Sequence, residues 1–285
     1  MSKTVQDNQN AKTKAKKTIK IGKLVIPLDV FIVVFVFVVL IFVYIVSPRV
    51  YSVTTALYDK GSDEDKANVI AAMSGENTEE RFRLYFQWYN VIHELGHGVL
   101  YYNDGVKPSF VDEEQLANDF AVAYWKRYGE EEKFEELYNI VSYAVEHVGT
   151  NYQNGVDYMQ LGRENSNGRN VDNSFFNFND YGWFQFSSVK HAIEADKDLE
   201  TVLAEMGLKD FKLTNPETFA YGEINENVST RVINDAVNNF RAWGFKYPDV
   251  VHHFDNDPNN NYSGSVVKYL GLFEVQDYVY IIKNF

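Results

Sequence analysis

Across 78–102 the apolar positions recur at helical spacing, and the chain meets no proline there and no glycine before Gly96. Asn77 followed three positions later by Glu80 has capping-box spacing and predicts where this helix starts. Asp104-Gly105 predicts its exit. A second helix is predicted from about Asp112, capped by its own side chain, with Gln115 in the reciprocal position. Leu116, Phe120, Ala123 and Ala117, Ala121, Tyr124 then recur three or four residues apart. A third is predicted over 131–148, where Phe134, Leu137, Val141, Ala144, Val145 and Val148 share a face before Gly149. Two more are expected at 188–206, stopped by Gly207, and at 227–243, stopped by Gly244. The late strand candidates are 266–270 and 275–282, rich in valine, isoleucine and tyrosine. The pattern is mainly α with a small sheet, and it contains no internal repeat.

Two stretches depart from it. Residues 30–46 are seventeen positions without a charge, glycine or proline, the short end of a membrane span. Leu28 and Ser47 extend the run, so a single transmembrane helix is expected over 28–47. A cleaved signal peptide is the rival reading, but Ser47-Pro48-Arg49 offers no small-residue cleavage site. Lysines before the run and Arg49 just after it predict a cytoplasmic amino terminus. The expected organisation is a basic cytoplasmic tail over 1–27, the anchor over 28–47, and an extracytoplasmic domain over 49–285 with its motif core at 78–128. Asp59 to Lys66 reads as a polar linker. The second departure, 150–181, is rich in asparagine and glycine and then in aromatics: Phe175, Phe176, Phe178 and Tyr181, continuing with Trp183, Phe184 and Phe186. These either pin a loop to the core or line a substrate groove, and the first is the favoured reading.

Charge and cysteine content narrow the chemistry. Of 27 basic and 40 acidic residues, seven lysines and two aspartates fall in 1–29, which leaves the body 20 against 38. A surface that acidic lacks the electrostatic footprint for nucleic acid. With no cysteine in the chain, disulfides, thiolate nucleophiles and cysteine-held metals are excluded, so any metal is held by nitrogen and oxygen.

One motif supplies such ligands. Val91-Ile92-His93-Glu94-Leu95-Gly96-His97 places His-Glu-x-x-His within a predicted helix. Residues four apart share a helix face, so His93 and His97 can hold one metal ion, here expected to be a single zinc. Glu94 sits slightly around the helix and reaches a water rather than the ion, as a general base does. A third histidine at metzincin spacing is excluded, because position 100 is leucine and position 103 asparagine. The remaining supply is a carboxylate from the next helix, in Asp112-Glu113-Glu114-Gln115-Leu116-Ala117-Asn118. Glu114 and Asn118 share a face, so Glu114 can bind the metal while Asn118 accepts a hydrogen bond from the far nitrogen of a histidine ligand. Glu113 is the alternative ligand, but its own one-turn neighbour is Ala117, which accepts nothing.

His-Glu-Leu-Gly-His followed by Glu-x-x-Ala-Asn-x-Phe-Ala resembles the gluzincin-type metallopeptidases of the ImmA/IrrE group and related bacterial families. The resemblance covers 92–125. It implies a zincin-like fold and zinc bound by His93, His97 and Glu114. It also implies Glu94 as general base, and hydrolysis of peptide bonds in a peptide or protein substrate. The chain departs from the group after the second motif, reading Val122-Ala123-Tyr124-Trp125 where its members continue Leu-Leu-Met-Pro, and in its expected anchor. The reading as a membrane-anchored zinc peptidase competes with a non-catalytic metal-binding scaffold of the cell envelope. His147, His191, Tyr152 and Tyr181 are candidates for a further donor that no spacing selects. His252-His253 near Asp255 and Asp257 lacks the glycine and glutamate of a calcium loop and reads as a solvated turn.

Overall fold

The residues around the His-Glu-x-x-His pentad form a helical rod whose winding changes twice. The computed structural model describes residues 18–21, 24–27, 50–55, 58, 63–74, 76–148, 178–214, 228–254 and 278–283. The rod begins with α2 (Thr78–Phe82), widens into a π-helical segment at Arg83–Tyr89, and tightens again into α3 (Asn90–Tyr102). In the wide segment Leu84, Tyr85, Phe86, Gln87, Trp88 and Tyr89 are all buried. Such segments are rare and concentrate at functional sites. Asn77 does not act as the expected cap: it takes a left-handed φ of 52° and its side chain makes no capping bond. Asparagine tolerates that conformation, and the chain uses it to turn into the helix.

Upstream, α1 (Asp63–Met73) replaces much of the expected linker. Val69, Ala72 and Met73 of this helix are buried. Downstream, α4 (Phe110–Tyr128) starts two residues before Asp112. Ser109 is its cap, accepting from the Asp112 backbone N–H at 3.4 Å while donating to the Asp112 carboxylate at 2.5 Å. Asp112 is thus the third helical residue of a capping box and not the cap. Next come α5 (Glu131–His147), α6 (Phe178–Ala195) and α7 (Leu199–Glu205), with α8 (Val228–Ala242) after them. The single helix expected over 188–206 is broken. Asp196 has a φ of 53°, and Asp198 caps α7 by accepting from the Thr201 N–H at 2.7 Å.

Most of α4 is buried, and it packs against α3, α6 and α7. A helix apolar on most of its circumference belongs at the centre. Trp125 stacks on Trp88 with ring centroids 3.8 Å apart, joining α4 to the wide turn. Tyr128 stacks on Trp243, and the Tyr124 hydroxyl accepts from Asn239 at 3.0 Å.

The two glycines of the motif have separate contacts. A Cβ on Gly96 would stand 2.8 Å from a ring carbon of Phe120, so the bare backbone sets how closely α3 approaches α4. Gly98 makes room for Tyr247, whose hydroxyl donates to the Leu95 carbonyl at 3.1 Å. Gly96→Val is therefore expected to destabilise the fold by about 1–3 kcal/mol through overpacking. The check is a urea midpoint that falls with an unchanged slope.

The sheet is β3 (Val50–Thr55), β5 (Tyr278–Lys283) and β4 (Asp249–Phe254), antiparallel with β5 in the middle. Its register pairs Val50 with Lys283 and Asp249 with the same residue. The expected 275–282 strand corresponds to β5, β3 and β4 were not anticipated, and 266–270 lies outside the described residues. His252 and His253 lie in β4 and not in a turn, while the polar run after Phe254 is outside the described residues. The chain divides into two units, 1–49 and 50–285. In the first, β1 (Thr18–Ile21) and β2 (Leu24–Pro27) form an antiparallel pair with Thr18 opposite Pro27.

The membrane expectation is corrected. Among the described residues no helix is long and apolar enough to cross a membrane, and the run at 30–46 lies outside them. The two described helices that reach eighteen residues show why they fail. In α4, Asp112, Glu113, Glu114, Asp119, Lys126 and Arg127 interrupt the apolar surface, and in α6 Asp180, Lys190 and Glu194 do so. A span tolerates few such charges. No described helix supports the transmembrane helix expected at 28–47, the membrane as a partner, or the single-pass placement with its cytoplasmic and extracytoplasmic ends, and none of these is taken further. What stands is a mostly helical protein with a small sheet.

Candidate metal centre

His93 and His97 project from one face of α3, and Glu114 meets them from the first turns of α4. The three offer ligand atoms that all lie within 4.8 Å of one another. The Nε2 atoms of the two imidazoles are 3.3 Å apart. Glu114 Oε2 lies 3.2 Å from His93 Nε2, and its Oε1 lies 3.7 Å from His97 Nε2. Two ligands held about 2.0–2.1 Å from a tetrahedral ion stand about 3.3 Å apart. The donor set therefore fits one small divalent ion at the centre of the three.

Both rings are turned by their far nitrogens. His93 Nδ1 donates to Asn118 Oδ1 at 2.9 Å, and that oxygen also accepts from the Tyr89 hydroxyl at 2.9 Å. His97 Nδ1 donates to Glu113 Oε1 at 3.1 Å. With Nδ1 committed outward, each neutral ring presents the Nε2 lone pair to the centre. Glu113, weighed as an alternative ligand, thus touches the outer side of His97 and lies outside the converging group. Glu94 is half-buried, and the Asn90 side-chain amide donates to its Oε1 at 3.4 Å. It is likewise not one of the three converging residues.

Two participants went unread in the sequence. Gln185 of α6 donates from Nε2 to Glu114 Oε2 at 2.8 Å and to the Tyr181 hydroxyl at 2.8 Å. Its Oε1 accepts from Asn118 Nδ2 at 3.1 Å. No spacing signals it, since it lies 71 positions from Glu114, although it is the lone amide in the aromatic run 181–186. Tyr89 had a visible signal: it precedes His93 by one helical turn. Tyr181, Trp183, Phe184 and Phe186 are buried in α6; Phe175 and Phe176 lie outside the described residues, as does Tyr152. His147 is exposed, with Nδ1 donating to the Tyr143 carbonyl at 2.8 Å, and His191 is exposed on α6. Neither joins the site.

The charges of the metal-free site are coupled. Burial opposes a charged His97, but the hydrogen bond to Glu113 and the carboxylates of Glu114, Glu94 and Glu113 outweigh it and push the ring up to about 9. Burial likewise opposes a charged Glu114, yet the His93 hydrogen bond, the two imidazoles and Gln185 bring it down to about 2. Burial pushes the Glu94 carboxyl up, and the Glu114 charge adds to it, against the opposing pull of His93, His97 and Asn90. For His97 the folded value lies above the unfolded one, near 6.5, so its contribution to stability is complete below about 6.5 and is lost as pH rises through about 9. For Glu114 the folded value lies below 4.5, so its contribution is present above 4.5 and is lost as pH falls through about 2. In chelator, the urea midpoint is expected to fall from pH 6 to pH 10 in the wild type, and to fall less in His97→Gln. Zinc must displace the His97 Nε2 proton, so its affinity is expected to rise by about tenfold per pH unit up to about 9 and then level.

Two histidines and a glutamate converging from a packed helix pair form a cluster capable of holding a metal ion and consistent with a zincin-like active site. No family model matches the chain, and no curated protein or solved structure matches it. The resemblance to the ImmA/IrrE group therefore stays with the residues of 92–125.

Proposed function

We propose that the chain binds one zinc ion through His93, His97 and Glu114 and hydrolyses peptide bonds in a peptide or protein substrate. The observation that carries the reading is the convergence of two Nε2 atoms, 3.3 Å apart, on a carboxylate from the next helix. Zinc bound there would supply Lewis-acid polarisation of a carbonyl and acidify a water. Glu94 is the chain's own proton carrier. Its carboxyl sits one residue beyond His93, accepts from the Asn90 amide, and is pushed up by burial, which favours holding a proton. The test is digestion of a mixed peptide library by the zinc-loaded protein. Cleavage that chelator stops and added zinc restores supports the reading; a zinc-replete protein that leaves the library intact counts against hydrolysis.

A second reading, a non-catalytic metal-binding scaffold, is favoured by burial. His93 is 2% exposed and Glu114 7%, and structural zinc sites are closed. Under that reading chelation lowers the melting temperature while Glu94→Gln changes nothing measurable.

A further inference from the structure

A single side chain, Gln185, touches both the candidate ligand Glu114 and Asn118, the residue that orients His93. Both ends of its amide are engaged. Both Nε2 hydrogens are donated, to Glu114 Oε2 and to the Tyr181 hydroxyl, and Oε1 accepts from Asn118. Asn118 has no freedom either. Its Oδ1 accepts from the Tyr89 hydroxyl and from His93 Nδ1, so its nitrogen must face Gln185. Turning the Gln185 amide over would set its oxygen against the Glu114 carboxylate and its nitrogen against the Asn118 nitrogen. Both contacts would be repulsive. Gln185 and Asn118 are 7% and 1% exposed, so water does not readily replace a lost partner, and an unmade hydrogen bond there is costly. The path His93, Asn118, Gln185, Glu114 therefore closes on itself through the Nε2 to Oε2 approach of 3.2 Å. Its polarity is fixed from His93 Nδ1 through Asn118 and Gln185 to Glu114 Oε2.

We infer that Gln185 is a positioning residue for the metal centre. Through Asn118 it keeps a proton on His93 Nδ1, and directly it holds the Glu114 carboxylate, so that α6 is a third wall of a site whose ligands all come from α3 and α4. The inference rests on the zinc reading above and adds to it a dependence on a helix that carries no ligand. Losing an outer hydrogen bond of this kind weakens metal binding by about 10–100-fold.

The experiment uses the full chain, with Gln185→Met to keep bulk and remove every hydrogen bond, Asn118→Ala, and the double variant. Zinc affinity is read by competition with a chromophoric chelator, and the His93 tautomer by imidazole nitrogen shifts in the metal-free protein. Expected are a protonated His93 Nδ1 in the wild type, a partly deprotonated one in Gln185→Met, about 10–100-fold weaker zinc binding, and a double variant worse than Asn118→Ala alone by less than the full Gln185→Met loss, because only the direct hold on Glu114 remains to be lost. Wild-type affinity in Gln185→Met, or additive losses in the double variant, would overturn the inference while leaving the zinc site intact. A wild type that binds no zinc would fail the metal reading itself. Should Gln185→Met not fold, the wild type still decides, because a His93 whose Nδ1 carries no proton in the metal-free protein contradicts the path through Asn118.

Discussion

Glutamine in place of Glu94 is expected to slow peptide hydrolysis by about 10²–10⁴-fold, the range that a positioned proton-transfer group supplies. Zinc content and melting temperature should not change. The asymmetry follows from position. Glu94 is the residue after His93 yet lies outside the set of three converging ligands, so removing its charge leaves the metal's donors in place. Glutamine preserves shape and still offers an oxygen to the Asn90 amide, which donates to Oε1 at 3.4 Å. What it removes is the ability to take and return a proton. The measurement is kcat on a cleaved library peptide beside the zinc content of the same sample. Loss of zinc together with activity would make Glu94 a ligand, and an unchanged kcat would take it out of the chemistry.

Removing Glu114 should have the larger effect on the metal. Glu114→Ala is expected to weaken zinc binding by well over about 100-fold, beyond the loss associated with an outer hydrogen bond. Glu113→Ala should stay within about 10–100-fold. The two carboxylates are neighbours in sequence but differ in what they touch. Glu114 is 7% exposed, and its oxygens lie 3.2 Å from His93 Nε2 and 3.7 Å from His97 Nε2. Glu113 meets the outward nitrogen of His97, at 3.1 Å, and is not one of the three converging residues. Competition titration of the two variants separates them. The reverse order would assign the ligand to Glu113 and rotate α4 relative to α3.

The helix pair around the site was legible because its signals are local. His93 and His97 are one turn apart, Glu114 and Asn118 are one turn apart, and Asp104-Gly105 marks the exit between their helices. The centre of α4 was legible from Phe120, Ala121 and Tyr124 at helical spacing. Its start was misread by two residues because Asp112 is as good a capping residue as Ser109, and only the folded backbone chooses between them. The wide turn at Arg83–Tyr89 left no trace in the pattern, since an apolar run reads as an ordinary helix whatever its pitch. Gln185 was illegible for a different reason. Its importance comes from packing α6 beside α4, a contact between positions 71 apart in the chain. Strand β3 follows closely on the apolar run assigned to the anchor, and the His252-His253 of β4 was read with the polar turn after it. The expectation of a membrane anchor came from hydropathy alone, and no described helix is long and apolar enough to cross a membrane.

The most direct measurement is zinc stoichiometry of the purified full chain, taken with X-ray absorption at the zinc edge. The expected result is one zinc per chain with two imidazole nitrogens and a carboxylate oxygen at about 2.0–2.2 Å. A folded chain that takes up no zinc from an excess, or zinc whose absorption shows no imidazole, would contradict the assignment of His93, His97 and Glu114.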